Sequence, residues 1–165
     1  MKASKAEIKI LRAGGARLAA ILRQVAAAAQ PGVTTLELDL LARNLIAAGG
    51  DEPAFLNYQP AGARRPFPAA LCVSINDEVV HGLPGVRTVA DGDVVSLDLG
   101  LRHQGFFTDM AITVPVGPVD PESARLIEIT RRALLAGITA LHAGARLGDV
   151  GAAVAAVARV EKLGL

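Results

Sequence analysis

The chain has 165 residues, 52% of them hydrophobic and 20% charged, with a formal net charge of +1, which is enough for one ordinary domain with a real core. The basic residues are scattered, Arg64-Arg65 and Arg131-Arg132 being the only adjacent pairs, so no nucleic-acid footprint is present. A single cysteine, Cys72, excludes an internal disulfide. Together with the lack of a signal core or of the roughly 18 uninterrupted apolar residues of a membrane span, it leads to the expectation of a cytoplasmic protein with no membrane contact.

Aromatics make up only 3% of the chain while alanine is abundant, so closely packed small-residue helices are expected. The first runs from about Ala6 to Ala29, with Ile8, Leu11, Leu18, Ile21, Leu22 and Val25 near helical spacing, and Gly14-Gly15 able to bend it or admit a neighbour. A second helix opens at Thr34, whose spacing to Glu37 is that of a capping box, and closes at Gly49-Gly50. A loop rich in proline and glycine follows, from Asp51 to Pro68. Strands are expected at Leu71 to Ile75, around Glu78 to Val80, and in a hairpin from Val94 to Val114. Two more helices follow, one opened by Asp120-Pro121 and one starting near Gly148-Asp149. The segments Gly32 to Leu38 and Gly144 to Val150 echo each other, a weak repeat whose second copy is followed by no strands.

The hairpin carries the unusual chemistry. Val95, Leu97, Leu99 and Leu101 alternate with Ser96, Asp98 and Gly100, so Asp98 is a charge on the face opposite the apolar residues. If Arg102 to Gly105 form a four-residue loop, Asp98 falls directly opposite Asp109, at a Cβ spacing of roughly 4.5–5.5 Å where like charges destabilise a sheet. A divalent cation between them would remove that cost. Two exposed aspartates on a solvated face would fit the pair as well, and two carboxylates are too few for a tightly held ion. Upstream, His81 stands between a strand and Gly82; a lone histidine beside an apolar stretch is more often structural than catalytic. Near it, Tyr58, Phe67 and Cys72 supply side chains for a small apolar pocket. His103, in the expected turn, reads as solvated, His142 as a residue late in a helix, and Asp91 and Asp93 as turn formers.

The run Cys72-Val73-Ser74-Ile75-Asn76-Asp77-Glu78-Val79-Val80-His81-Gly82-Leu83-Pro84, the segment Pro31 to Asp39, Asp91 to Asp98 and Gly105 to Asp109 together resemble the amino-terminal part of type I methionine aminopeptidases, metallopeptidases with the pita-bread fold. The resemblance implies an α/β (α+β) fold with helices on a curved, mainly antiparallel sheet. It also implies that residues 1–165 form a partial domain whose carboxy-terminal strands are missing. It assigns Asp98 and Asp109 as metal ligands, with Asp109 bridging two divalent ions (Co, Mn, Zn, Ni or Fe(II)). His81 becomes a hydrogen-bonding partner of the substrate, and Tyr58, Phe67 and Cys72, with Phe55 beside them, become the methionine pocket, interrupted by an insertion at Ala61 to Arg65.

The implied activity is hydrolytic removal of the first methionine from nascent polypeptides by a protein that is monomeric at full length, with a ribosome contact left open. The general-base glutamate and the remaining ligands have no counterpart before residue 165, so the chain alone is expected to be inactive and marginally folded. Two alternatives stand beside this one: a pita-bread peptidase of other specificity, such as one cleaving before proline, and a pita-bread relative that binds peptides or proteins without catalysis.

Overall fold

A computed structural model describes residues 2–164. They form two compact units that divide between Val119 and Asp120. In the first, helix α1 (Lys5–Ala28) and helix α2 (Thr35–Ala48) precede a four-stranded antiparallel sheet made of β1 (Glu52–Pro53), β2 (Leu71–Ile75), β3 (Val94–His103) and β4 (Phe106–Pro115). Strand β3 is central. It pairs with β4 along its whole length on one side, and on the other with β2 and then with the two residues of β1.

Both helices begin where the capping residues place them. Ser4 accepts from the Glu7 N–H and Thr34 from the Glu37 N–H, and each glutamate reaches back to the cap's own N–H, so two otherwise unsatisfied donors are met at each start. The core is the alternation of β3 meeting the apolar stripes of the helices. Val95, Leu97, Leu99 and Leu101 are fully buried and cluster with Leu18, Leu22 and Val25 of α1, Leu38 and Ile46 of α2, and Leu71, Val73 and Ile75 of β2. At Gly14 α1 lies close against the hairpin, since a Cβ there would lie 3.2 Å from Cβ of His103. Its neighbour Gly15 has nothing nearby.

The hairpin register differs from the expected one. Gln104 and Gly105 have φ of 48° and 85°, and His103 pairs with Phe106, so the loop has two residues rather than four. Positive φ at both positions gives a turn whose twist matches that of the strands, which is why short hairpins favour it. As a result Asp98 pairs with Ala111, and Gly100, not Asp98, stands opposite Asp109. The shift is by two residues. The side-chain period is also two, so both aspartates keep the same face. The strand expected around Glu78 to Val80 is instead irregular chain that follows a turn at Asn76-Asp77, where Asn76 takes φ 59° and is held by the Val94 N–H and Asp93.

At the hairpin's end, His103 is not solvated. It belongs to β3, its side chain is 13% exposed, and its Nδ1 lies 2.7 Å from Oδ1 of Asp51. Arg17 Nε donates to the other oxygen of Asp51 at 2.6 Å. Burial on its own would raise the Asp51 carboxyl, but hydrogen bonds and charge from His103 and Arg17 outweigh it and lower the pKa. A carboxyl lowered on folding contributes stability above its unfolded pKa of about 4 and loses it as pH falls through the folded value. Asp51→Asn is therefore expected to cost about 1–3 kcal/mol at neutral pH, and the gap to wild type should close as pH falls below about 4. Urea midpoints at the two pH extremes measure it; an equal deficit at both would show that the charge is not involved.

In the second unit, helix α3 (Pro121–Ala140) is capped by Asp120, which accepts from the N–H groups of Glu122 and Ser123, and helix α4 (Leu147–Val160) packs on it. Gly137 permits the close approach, since a Cβ there would lie 3.1 Å from Val154. Glu161 receives both Arg125 and Arg132. His142 lies beyond the end of α3, in the exposed loop that follows it, rather than late in the helix. The sequence echo has a local counterpart: Gly32 and Gly144 have φ of 90° and 91°, and the Thr34 and Arg146 N–H groups are each met by an acidic side chain three residues on.

Candidate metal centre

The face of β3 turned away from the core carries Ser96, Asp98 and Gly100, and Asp109 and Thr113 of β4 share it. Asp98 and Asp109 are diagonal neighbours across the pair, at a backbone separation of roughly 7–8 Å that side chains can bridge. Gly100 fills the place opposite Asp109, so no side chain stands between the two carboxylates. The same absence of a Cβ admits β1's continuation. The Ala54 N–H donates to the Gly100 carbonyl at 3.0 Å, and a Cβ on Gly100 would lie 2.6 Å from the Phe55 ring.

On the other side of β3, Cys72 pairs directly with Asp98. Its thiol is therefore on the carboxylate face, and Sγ lies 4.0 Å from Nδ1 of His81. His81 reaches this place by an unusual backbone. Its φ is 60°, and the next residue is bonded back onto β2, with the Gly82 N–H donating to Ser74 Oγ at 3.1 Å and the Gly82 carbonyl accepting from the Val73 N–H at 2.9 Å. A Cβ on Gly82 would collide with the Val73 carbonyl. Gly82→Ala must therefore displace the His81 segment, at an expected cost of about 1–3 kcal/mol. A urea midpoint equal to that of wild type would show that the segment moves freely.

The electrostatics of this face are those of two carboxyls held close together, one of them partly buried. Oδ1 of Asp98 is buried and has no hydrogen-bond partner. Burial first, and then the charge of Asp109, push the Asp98 carboxyl up. Burial likewise raises the Cys72 thiol to about 11, with help from Asp98 and Asp109. An orphaned buried oxygen beside a second carboxylate is costly in isolation and is what a cation would satisfy. The donor chemistry present here therefore fits a bound metal.

The other sequence candidates are placed less tightly. Tyr58 and Phe67 are neighbours, the Phe67 N–H donating to the Tyr58 carbonyl and the Asn57 N–H to the Phe67 carbonyl, each at 2.8 Å. The Tyr58 side chain is 62% exposed and Phe67 half-buried, and Ala61 to Arg65 lie at the far end of the loop they close. Asp93 is a turn former, holding the Ala90 N–H and the Asn76 side chain. Sequence reasoning missed Asp39. It is completely buried, accepts from the Ala70 and Leu71 N–H groups at 2.8 and 3.0 Å, and pairs with Arg43. Its signal was available, as Leu38, Asp39, Ala42 and Ile46 make one buried stripe of α2.

Comparison with known proteins gives this arrangement a context. The model of metallopeptidase family M24 matches residues 9–165. The methionine aminopeptidase of Aquifex aeolicus (strain VF5) is 42% identical over 152 residues, covering 92% of this chain and 59% of that protein. The crystal structure of methionine aminopeptidase from Rickettsia prowazekii matches with a TM-score of 0.91 at 32% identity, covering 98% of this chain and 62% of that one. The corresponding structure from Thermotoga maritima matches with a TM-score of 0.88 at 33% identity, covering 96% of this chain and 62% of that one.

Helices on one face of an antiparallel sheet and a pair of aspartates on the other thus define a metallopeptidase fold, the pita-bread fold of these enzymes. The chain belongs to metallopeptidase family M24. It spans about 60% of the length of the relatives it matches.

Proposed function

We propose that this protein takes part in metal-dependent removal of the amino-terminal methionine from new polypeptides in the cytoplasm. The observation that carries the proposal is the pair Asp98 and Asp109 on one sheet face, with an orphaned oxygen on Asp98; the similarity to methionine aminopeptidases supplies the substrate. In this reading Asp98 and Asp109 would be the residues of this chain that hold the divalent metal. Bound there, the metal would lower the pKa of water and polarise a carbonyl.

The chain's own residues do the rest of what can be assigned. His81, fixed by the Gly82 bonds to β2, hydrogen-bonds the substrate beside the peptide to be cut. Cys72, Phe67 and Tyr58, with Phe55 over Gly100, contact the methionine side chain, for which a thiol and aromatic rings are suitable surfaces. The exposed Val79, Val80 and Leu83 flank His81 and offer an apolar rim for the peptide. The general base is assigned to no residue of 1–165.

The test is release of free methionine from Met-Gly-Met by the protein expressed from its complete reading frame, with Mn²⁺ or Co²⁺ and after chelation. Metal-dependent release supports the proposal. A metal-loaded protein that binds the peptide without cutting it would support the binding-only alternative, and cleavage only of peptides with proline second would assign the other specificity.

A further inference from the structure

The geometry points to a second kind of cation site, made by Cys72, His81 and Asp98 and selective for thiophilic divalent ions such as Zn²⁺. One ligand atom from each of these residues lies within 4.8 Å of the other two, and the Cys72 Sγ to His81 Nδ1 separation is 4.0 Å. A tetrahedral zinc with bonds of about 2.3 Å to sulfur and 2.0–2.1 Å to nitrogen places those two atoms roughly 3.6 Å apart. A side-chain adjustment of a few tenths of an ångström therefore closes the site.

Two features bring the donors together, and both Asp98 and Cys72 are available. The β2–β3 register sets Cys72 opposite Asp98. The left-handed backbone of His81 and its Gly82 anchor turn the imidazole back toward β2. The buried oxygen of Asp98 has no partner, and Cys72 is a free, buried thiol.

The site differs from the carboxylate pair in chemistry. Asp98 and Asp109 offer only oxygen, which suits Mn²⁺ as well as softer ions, whereas thiolate and imidazole favour zinc and its heavier relatives. Three protein donors leave a fourth position open to solvent. Binding replaces the thiol proton with the metal and releases that proton to solvent, so the step balances without a redox partner. Because Asp98 serves both sites, an ion on Cys72 and His81 takes a carboxylate away from the Asp98–Asp109 pair and removes two side chains from the substrate surface. Excess Zn²⁺ should therefore compete with Mn²⁺ rather than substitute for it. The site depends only on donors within this chain and stands whether or not the aminopeptidase assignment does.

Zinc-edge X-ray absorption of the 165-residue protein loaded with one equivalent of Zn²⁺ needs no variant. One sulfur together with nitrogen and oxygen neighbours is expected, and a shell of nitrogen and oxygen alone overturns the proposal. Co²⁺ titration adds the donors one by one. A sulfur-to-cobalt charge-transfer band should appear in wild type, vanish in Cys72→Ser, require at least about tenfold more Co²⁺ in His81→Asn and in Asp98→Asn, and persist in Asp109→Asn. Circular dichroism checks that each variant is folded. A band unchanged in both His81→Asn and Asp98→Asn would reduce the site to a lone thiol and overturn it.

Discussion

Asp98→Asn, made in the protein expressed from its complete reading frame, is expected to lower methionine release from Met-Gly-Met by on the order of 10³-fold while leaving the metal-free fold as stable as wild type or more so. The loss follows from the several kcal/mol of transition-state stabilisation that a correctly held metal supplies. The stability gain follows from the apo geometry. Asp98 is half-buried with an orphaned oxygen, and Asp109 shares its sheet face, so the ionised carboxylate pair carries a repulsion that a bound cation would relieve. Replacing one charge with an isosteric amide removes a like-charge interaction of about 0.2–1 kcal/mol. Added Mn²⁺ should then raise the melting temperature of wild type by binding the folded state and leave that of the variant unmoved. A variant destabilised without metal and only mildly impaired in turnover would make Asp98 a structural residue. The opposite signs of the two effects separate a functional carboxylate from a packing one.

What could be read from the sequence was what is decided locally. Thr34 and Glu37 lie three residues apart and cap α2 as their spacing implies, and the alternation from Val95 to Leu101 tells which face of β3 is buried. The hairpin register is not legible in the sequence because it depends on whether Gln104 enters the left-handed region, which a glutamine does not announce. A register shift of two residues leaves the faces intact because the side-chain period is two. The Asp51–His103 pair joins residues 52 positions apart, and the meeting of Cys72 with Asp98 depends on β2 docking against β3 across the loop that holds His81. Pairings of that range are products of the assembled sheet. The two-residue β1 was hidden for a different reason, since Glu52-Pro53 lies inside a run of turn formers and a proline is tolerated only at such an edge position.

Asp39→Ala is expected to cost about 3–5 kcal/mol, the range seen when one partner of a buried charged network is removed. Two buried backbone N–H groups, of Ala70 and Leu71, would lose the oxygen that accepts both, and Arg43 would lose its carboxylate. Against a total of about 5–15 kcal/mol for a domain, that is a large fraction, and urea denaturation at fixed pH measures it. Asp39→Asn keeps an oxygen that can accept from the strand but turns an amide toward Arg43, so its cost should fall between those of wild type and alanine. Arg43→Met leaves the buried Asp39 carboxylate without its cation and frees the Pro68 carbonyl, so it too should cost several kcal/mol, about 3–5. A loss below about 1 kcal/mol for the alanine variant would mean that water replaces the carboxylate. The consequence reaches the site, because Ala70 and Leu71 are the two residues immediately before Cys72. Freeing the start of β2 loosens the thiol from its register with Asp98, so the cobalt charge-transfer band should weaken in Asp39→Ala under conditions where circular dichroism still shows a folded chain.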